Sequence, residues 1–567
     1  MQEYIYYNKQ NLDFPLSEKI LVTNNMIEYK DSDFIVSNTN LFNAELVADE
    51  IDFYIRNSQD TIADKIKNIE KLYDLNESRF DNAQDMTFSQ DVEKKVLLIC
   101  DESWKKEFIK KIVSNEFDLF HINENILKSI TGSIGNLNVV VDDEDKDITL
   151  NIDQIIWFDM KEEGKKQSGC FDPLETSIDD VLAEVRANIA NYEYRKFLSY
   201  DKTICQYHER RDETCAKCVE VCPTTTIVKD DENKHLHFSQ IDCHGCGGCI
   251  SVCPSGALDY TPSNRESIYA MSKFFNGHIP LIIPQKMNIS SLEVALKENV
   301  LPFKIEGEKF LHESTLLTIL QESGSQVVFY TDFLSKGTTD SISILNQIYQ
   351  AKYQKDAILV AMNKEQLVDA LEKVDFIDGS KYQLNDMSLR KRENFAIRLS
   401  KIVGEYNFGE VQTGPNVHYA KVEVNESNCT LCLSCVGACN VNAIFADAKD
   451  NTLRLNPSLC TSCGYCEASC PESDCLTIKR DVIELQPMWF KENILAQDKL
   501  FACIECGKEF ATTKAVEKIA KIMSPIFAND PIKEKTLYCC ETCKPKIMMK
   551  SYMANPTNYN NKQGIAI

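Results

Sequence analysis

Two cysteine-rich runs decide the fold of this chain: Cys429-Thr-Leu-Cys432-Leu-Ser-Cys435-Val-Gly-Ala-Cys439 and Cys460-Thr-Ser-Cys463-Gly-Tyr-Cys466-Glu-Ala-Ser-Cys470-Pro471. Each run has the spacing C-x2-C-x2-C-x3-C. A tight loop with a thiolate at every third residue can hold three corners of an iron–sulfur cubane, and the fourth corner then needs a thiolate from elsewhere. The pattern therefore predicts one [4Fe–4S] cluster on Cys429, Cys432, Cys435 and Cys470, and a second on Cys460, Cys463, Cys466 and Cys439.

This crossed arrangement is that of a bacterial ferredoxin with two clusters. A proline after the last cysteine stops helix continuation, and Pro471 fits that pattern, whereas Asn440 replaces the proline of the first run. Structural zinc is the alternative, but zinc takes four ligands from two C-x2-C pairs and not from two runs of four. The spacing favours iron–sulfur ligation.

A second pair of runs lies earlier in the chain. Its later half, Cys243-His-Gly-Cys246-Gly-Gly-Cys249-Ile-Ser-Val-Cys253-Pro254, is regular. Its earlier half holds Cys215, Cys218 and Cys222, but Asp212 stands where the first ligand belongs. Cys205 lies ten residues before Cys215 and is the natural substitute, with an insertion looping out between them. The prediction is one cluster on Cys205, Cys215, Cys218 and Cys253, and another on Cys243, Cys246, Cys249 and Cys222.

Two residues of the insertion are rivals to Cys205 as the displaced ligand. His208 could ligate in its place, and Asp212 could make the site labile or leave it with three irons. Thiolate is the preferred cluster ligand, so Cys205 is favoured. Cys100, Cys170 and Cys475 are left over and are expected to be free or buried thiols rather than ligands.

The C-terminal region carries a different cysteine pattern. Two C-x2-C knuckles, Cys503/Cys506 and Cys540/Cys543, are separated by an insert expected to be helical over 513–523. Such knuckles predict a tetrahedral four-cysteine ribbon, with zinc as the first choice and a single iron as the second. Cys539 is the alternative to Cys540.

The sequence pattern outside the cysteine-rich runs predicts α/β structure. Strands are predicted at 95–100, 138–141 and 148–158, with a helix at 103–113 and one long amphipathic helix from Ser177 to Tyr194. Residues 263–405 alternate strands at 279–283, 301–305, 326–330 and 357–361 with helices at 290–297, 313–322, 341–353 and 364–374, which indicates a parallel sheet. A basic helix carrying Arg390, Lys391, Arg392, Arg398 and Lys401 is expected to present a solvated face.

These observations predict a multidomain α/β protein with two inserted dicluster, ferredoxin-like α+β modules and a C-terminal four-cysteine ribbon. The expected domains are an α/β domain (1–165), an amphipathic helical linker (166–198), module 1 (199–262), an α/β domain with a parallel sheet (263–405), module 2 (406–486) and the four-cysteine tail (487–567).

Net charge and cysteine content limit the partners and the compartment that we expect for this chain. The 567 residues carry a formal net charge of −24, which disfavours nucleic acid as a partner and favours docking to basic surfaces. No signal sequence or membrane-spanning apolar stretch is recognisable, and 24 cysteines in a large chain suit a reducing compartment. The chain is therefore expected in the cytoplasm.

No nucleotide fingerprint or acid–base constellation is present, so a non-catalytic carrier or oxidoreductase subunit is favoured over an enzyme.

The chain resembles bacterial multi-cluster ferredoxin-like proteins encoded alongside formate dehydrogenase systems in ε- and β-proteobacteria. The resemblance covers about residues 196–545 and rests on the following stretches: Lys196-Phe-Leu-Ser-Tyr200, Cys205-x9-Cys215-x2-Cys218-x3-Cys222, Cys243-His-Gly-Cys246-Gly-Gly-Cys249, Pro254-Ser-Gly-Ala-Leu258, Cys429-Thr-Leu-Cys432 and Cys503-Ile-Glu-Cys506-Gly-Lys508. It implies electron transfer near formate oxidation, with redox proteins as partners, and it supports Cys205 as a ligand. An accessory or assembly factor for formate dehydrogenase and a flavin-dependent oxidoreductase subunit are the alternatives.

Overall fold

The computed structural model describes residues 3–8, 12–143, 146–210, 214–386 and 388–554. The chain divides into two compact units, the first formed by residues 1–402 and 414–417 and the second by 403–413 and 418–567. Module 1 and both predicted α/β regions belong to the first unit, and module 2 and the tail to the second. Within the described ranges we find no helix with the length and hydrophobicity that a membrane crossing requires.

The first unit opens with two parallel sheets. Its elements up to residue 195 are β1 (Tyr4–Tyr7), β2 (Ile20–Thr23), β3 (Asp33–Ser37), β4 (Asn43–Val47), α1 (Glu50–Asn57), α2 (Ile62–Asp81), β5 (Thr87–Gln90), β6 (Lys95–Ile99), α3 (Glu102–Ile109), β7 (Asp118–Ile122), β8 (Leu127–Ser133), β9 (Asn136–Asp143), β10 (Lys146–Ile152), β11 (Gln154–Trp157), α4 (Glu162–Lys165), β12 (Cys170–Phe171), α5 (Ile178–Asn188) and β13 (Tyr192–Arg195). The sheet orders are β2-β1-β3-β4 and β12-β11-β6-β7, with β8, β9 and β10 forming an antiparallel sheet.

The prediction of one long helix from Ser177 to Tyr194 is wrong over its last third. Helix α5 ends at Asn188, Ala190 adopts a left-handed conformation at φ 79°, and 192–195 form strand β13 against β5. The Ala190 amide instead donates to the carbonyl of Val92. Since β12 also pairs with β11, residues 166–198 supply strands to neighbouring sheets rather than a purely helical linker.

Module 1 and the following α/β region complete the first unit. Module 1 consists of β14 (Leu198–Tyr200), α6 (Lys217–Val221), β15 (Ile227–Asp230), β16 (His235–Phe238), α7 (Gly248–Ser251) and β17 (Leu258–Tyr260). After it come α8 (Arg265–Ser272), β18 (Ile279–Pro284), β19 (Val300–Ile305), α9 (Glu313–Ser323), β20 (Val327–Tyr330), α10 (Lys336–Tyr353), β21 (Ile358–Ala361), α11 (Lys364–Lys373) and α12 (Lys391–Val403). Strands β19-β18-β20-β21 form the predicted parallel sheet, and its strands are almost wholly buried.

The helix predicted at 290–297 does not form. Its backbone groups form hydrogen bonds with the end of α1 instead. The Leu296 amide donates to the Asn57 carbonyl. The Asn57 side chain donates to the Leu292 carbonyl and accepts from the Val294 amide. The Arg79 guanidinium also donates to the carbonyl of Lys304. The N-terminal region therefore packs on the central α/β region, although sequence spacing assigned them to separate domains.

The second unit holds module 2 and the tail. Module 2 comprises β22 (Glu410–Gln412), β23 (Ala420–Val424), α13 (Ser434–Ala438), β24 (Ile444–Asp447), β25 (Thr452–Leu455), α14 (Tyr465–Ser469), β26 (Leu476–Arg480), β27 (Val482–Glu484) and β28 (Asn493–Gln497), and the tail comprises β29 (Leu500–Ala502), β30 (Glu509–Thr512), α15 (Thr513–Phe527), α16 (Pro531–Thr536) and α17 (Cys543–Ala554). Strand β28 joins the β24-β25 hairpin, so module 2 gains a strand beyond its predicted end at 486. The helix expected at 513–523 is α15.

Candidate iron–sulfur and four-cysteine sites

The structure gathers the cysteines of module 1 into two groups, each containing the last cysteine of the other run. One pocket is lined by Cys243, Cys246, Cys249 and Cys222. The other is lined by Cys205, Cys215, Cys218 and Cys253. The run ends cross over because helices α6 and α7 carry Cys222 and Cys253 away from their own loops. These are the two sets that the spacing predicts.

Cys205 lies in its predicted group, whereas its rival His208 lies elsewhere. The Cys205 thiol is buried, and the amide of Tyr207 donates to its sulfur at 3.5 Å. The imidazole of His208 stacks on that of His235, with 4.6 Å between ring centroids, and does not line the cysteine pocket. Asp212 lies outside the described residues. The geometry thus brings a full set of four thiols together without His208.

Module 2 repeats the crossing. Cys429, Cys432, Cys435 and Cys470 line one pocket. In the other group, Cys460, Cys463 and Cys439 raise the pKa of Cys466, after the larger effect of burial. The thiol of Cys475 is buried beside the first of these groups and points toward the carbonyl of Asn425 at 4.0 Å. It is a fifth thiol at that pocket, in addition to the four predicted ligands.

Backbone conformation in the regular cysteine loops suits an anionic cluster. In three of the four runs, the residue just before the second cysteine and the residue just after it both have positive φ. These residues are Gly245 and Gly247, Leu431 and Leu433, and Ser462 and Gly464. Alternating left- and right-handed residues turn successive N–H groups inward and make a concavity that binds anions, including iron–sulfur clusters. In the displaced run, Ala216 has φ 178° instead, which is extended backbone.

The pKa values of these buried thiols show that a metal centre is needed to keep them ionised. Burial, and then the neighbouring Cys253, raises the pKa of Cys218 well above its ordinary value, and burial raises those of Cys215 and Cys435 to about 12. Four thiols packed together out of water would stay protonated on their own. Iron compensates their negative charge and keeps them as thiolates, so the donor set fits a cluster.

Helix α12 was predicted to present a solvated basic face; Arg390 and Lys401 are exposed, but Lys391 and Arg392 are buried against module 1. The ammonium of Lys391 donates to the carbonyls of Ser251 (3.3 Å) and Cys253 (3.1 Å) and pairs with the buried Glu313 carboxylate at 3.2 Å. The Arg392 guanidinium donates to the carbonyl of Pro254 at 2.6 Å. Cations thus cap the carbonyls left free after short helix α7, next to the predicted ligand Cys253.

A third basic residue of that helix, Arg398, stabilises the α/β region. Arg398 is fully buried, with its guanidinium 2.6 Å from Asp386 and 3.1 Å from Glu322. The prediction failed because these acidic partners are remote in sequence. One signal was present: Lys391, Phe395, Arg398 and Ile402 recur at helical spacing, so both cations lie on an apolar stripe.

The tail brings its four predicted cysteines together. The ligand atoms of Cys503, Cys506, Cys540 and Cys543 all lie within 4.8 Å of one another, which suits a single tetrahedral ion. The Cys540 amide donates to the Cys503 sulfur at 3.3 Å, and a hydrogen bond with Thr542 lowers the pKa of Cys540 to about 6. Cys539 is buried but points to the carbonyl of Lys535, so Cys540 completes the group.

The two cysteine pairs of the tail lie on different secondary-structure elements. Cys503 and Cys506 lie at the turn between β29 and β30, whereas Cys540 and Cys543 precede and begin helix α17. The structure therefore shows a C-terminal cysteine cluster built from a hairpin and a helix start. Helix α15 ties it to module 2, because Lys518 pairs with Glu472 and the Thr512 hydroxyl donates to the carbonyl of Thr430.

Comparison with known families agrees with the two modules. Models of 4Fe-4S dicluster domains match residues 213–257 and 421–471. The first match begins after Cys205, so it does not include that predicted ligand.

Individual relatives share only short segments with this chain. It is 30% identical over 76 residues to an archaeal-type glutamate synthase [NADPH] of Thermotoga maritima, covering 13% of this chain and 15% of the relative. It is 41% identical over 49 residues (9% and 8%) to the indolepyruvate oxidoreductase subunit IorA of Pyrococcus horikoshii. It is 35% identical over 52 residues (9% and 32%) to the putative electron transport protein YsaA of Escherichia coli. The chain thus spans less than a third of the length of each of these relatives. It contains two 4Fe–4S dicluster ferredoxin domains, which support an iron–sulfur electron-transfer function.

Proposed function

We propose that the protein is an electron carrier with four [4Fe–4S] clusters that serves formate dehydrogenase-linked electron transfer in the cytoplasm. The observation that carries the proposal is the crossed grouping of the cysteines: three cavities are each lined by one predicted set of four, and Cys439 lies near Cys460, Cys463 and Cys466. When bound, each cluster supplies one-electron chemistry. The link to formate dehydrogenase is supported by the resemblance of residues 196–545 to proteins encoded with that enzyme.

In this proposal the chain holds the clusters and controls access to them. The sixteen thiolates ligate the irons, and the inward N–H groups of the loops offset the negative charge of each cluster. Lys391 and Arg392 add fixed positive charge near Cys253. The net charge of −24 favours a redox partner with a basic docking surface, and that docking weakens with added salt.

The four-cysteine tail site is proposed to hold zinc, with a single iron as the second choice. Its ligands lie in the second unit beside module 2, so the ion fixes helix α17 to the β29–β30 hairpin. This role is structural, since all four coordination positions are filled by protein thiolates.

The test is anaerobic electron delivery. Oxidised protein is mixed with catalytic formate dehydrogenase and formate, and bleaching of the cluster absorbance is followed in time. Reduction that depends on both enzyme and formate, and that slows as salt is raised, supports the proposal. Reduction by dithionite but not by the formate system would leave an electron carrier and remove the formate link. The absence of any bleaching with either would overturn the carrier function.

One observation favours a second function, an accessory factor that binds formate dehydrogenase during assembly. Helix α15 exposes Ile519, Ile522 and Ile526 to solvent by 54–69%, an apolar face suited to a protein partner. Pull-down from cells separates the two functions, because an assembly factor captures the immature enzyme and a carrier the mature enzyme.

A further inference from the structure

The insertion that displaces Cys205 carries a group of metal-binding side chains that none of the predicted sites uses. His208 and Glu209 lie in the insertion, and His235 begins strand β16 of the hairpin opposite. The Glu209 amide donates to the carbonyl of Lys234 at 3.0 Å, which holds the loop against the hairpin turn. One ligand atom from each of His208, Glu209 and His235 lies within 4.8 Å of the other two.

The separations in this group suit a shared ion better than hydrogen bonds. Oε1 of Glu209 lies 3.5 Å from Nε2 of His208 and 3.7 Å from Nε2 of His235. Both distances exceed the ordinary N–H···O range of about 2.7–3.2 Å. Ligands at about 2.0–2.2 Å from a tetrahedral zinc ion stand roughly 3.3–3.6 Å apart. The carboxylate oxygen is thus spaced from each imidazole nitrogen nearly as ligands of one zinc ion are.

The two imidazoles are held in place by their surroundings. The side chain of His208 is 13% exposed and stacks on His235, and its Nδ1 is buried without a hydrogen-bond partner among the described residues. Stacking on His235, rather than a hydrogen bond through that nitrogen, therefore orients the His208 ring. His235 is anchored by the pairing of β16 with β15, where it stands opposite Asp230.

We propose that His208, Glu209 and His235 bind a divalent transition metal, zinc by the nature of the ligands, with water in the fourth position. Two imidazoles and a carboxylate with an open position are a common zinc ligand set. Tyr207 lies between this site and the cluster pocket: its amide donates to the Cys205 sulfur, and its hydroxyl donates to Asp231 of the hairpin at 2.7 Å. The ion would close the insertion onto the hairpin and hold Cys205 in position. This second role rests on the proposed cluster, whereas metal binding does not.

The test counts zinc in the full-length protein with the tail site removed. In a Cys506→Ser background, the chain is titrated with Zn²⁺ and desalted, and bound zinc is measured by mass spectrometry. We expect one zinc per chain, lost on His235→Ala and kept on the matched change His237→Ala, which alters an exposed histidine of the same strand. Retention of the zinc in His235→Ala, or no zinc bound in the background variant, would overturn the site.

A second readout does not depend on removal of the tail site. Co²⁺ bound by imidazole and carboxylate lacks the intense thiolate charge-transfer bands of a four-cysteine site. Cobalt absorption without those bands, abolished by Glu209→Ala while total iron is unchanged, supports the proposal. If every cobalt ion bound shows thiolate bands, the proposal is wrong. Release of the ion should also raise the accessibility of Cys205 to a thiol reagent in cluster-free protein, and equal accessibility would remove the positioning role alone.

Discussion

The cysteine loop at 243–249 of module 1 and the loop at 429–435 of module 2 are best compared at one equivalent position. The residue after the second cysteine is Gly247 in one and Leu433 in the other, and both are left-handed, at φ 77° and 62°. A Cβ on Gly247 would lie 2.4 Å from the Cβ of Phe310, whereas Leu433 is 42% exposed. Glycine is required where the α/β region covers the loop, and a large side chain is tolerated where the position is open to solvent.

The α/β region also donates hydrogen bonds to module 1 and places positive charges beside it. The Lys309 amide donates to the carbonyl of Cys246 at 2.9 Å, and Lys391 and Arg392 cap the carbonyls at residues 251–254. In module 2, Cys432 is exposed to solvent. Solvent exposure and hydrogen bonding are the main controls on cluster potential, so the two modules should differ in redox behaviour and in chemical stability.

The largest expected effect is the loss of a whole cluster. Cys205→Ser and Cys429→Ser remove the first ligand of equivalent sets, so each should lower iron by about four atoms or leave a three-iron centre. Iron analysis and EPR of the two variants check this, with Cys100→Ser as a control that keeps all the iron. If only Cys429→Ser loses iron, the modules are not equivalent and Cys205 is not a ligand.

The next effect concerns Lys391, the buried cation of helix α12 that bonds to module 1. Lys391→Met removes the ammonium that pairs with the buried Glu313 carboxylate, and breaking a buried pair costs about 3–5 kcal/mol. We expect a lower urea midpoint for loss of module 1 absorbance, partly restored by adding Glu313→Gln. The control is Lys479→Met in module 2, which breaks an exposed pair with Glu410 and should leave the midpoint unchanged. Equal midpoints for both lysine variants would show that the α/β region does not brace module 1.

Exposure of Cys432 predicts an order of cluster loss. Under air with a chelator, the cluster assigned to Cys429, Cys432, Cys435 and Cys470 should decay severalfold faster than those of module 1, because solvent reaches it directly. Visible absorbance should show a fast phase of about a quarter of the total amplitude on the four-cluster stoichiometry. That phase should be absent from Cys429→Ser and retained in Cys205→Ser. A fast phase missing from the Cys205→Ser protein would reverse the comparison.

The smallest effect is conformational. Leu433→Gly removes a side chain from a left-handed residue, a conformation that costs non-glycine residues about 1–2 kcal/mol, so module 2 should become slightly more stable. Gly247→Ala should destabilise module 1, because the added Cβ meets Phe310. Thermal melts of the two variants measure both changes, and opposite signs are expected.

The sequence predicted the parts of this molecule that depend on local spacing. The four cysteine sets follow from a cysteine at every third residue and from a crossed fourth ligand, and the structure gathers them as expected; their ligation of iron stays a prediction. The parallel sheet of residues 279–361 was also predicted, since strand and helix periods differ clearly.

The errors concern residues whose partners are remote in the chain. The pattern at 290–297 is helical, but Asn57 supplies the hydrogen bonds that decide its conformation. Lys391 looked solvated because Glu313 and the carbonyls near Cys253 are 78 and more than 130 residues away. His208 and His235 could not be paired before the β15–β16 hairpin was placed beside the insertion.

The most direct test of the central claim is the metal and sulfide content of anaerobically purified protein, combined with Mössbauer spectroscopy of iron-57. Four cubanes predict about sixteen irons and sixteen acid-labile sulfides per chain, all in the spectrum of [4Fe–4S] centres, with the tail metal additional. Eight irons or fewer after full reconstitution, or zinc in place of iron at the crossed cysteines, would contradict the account.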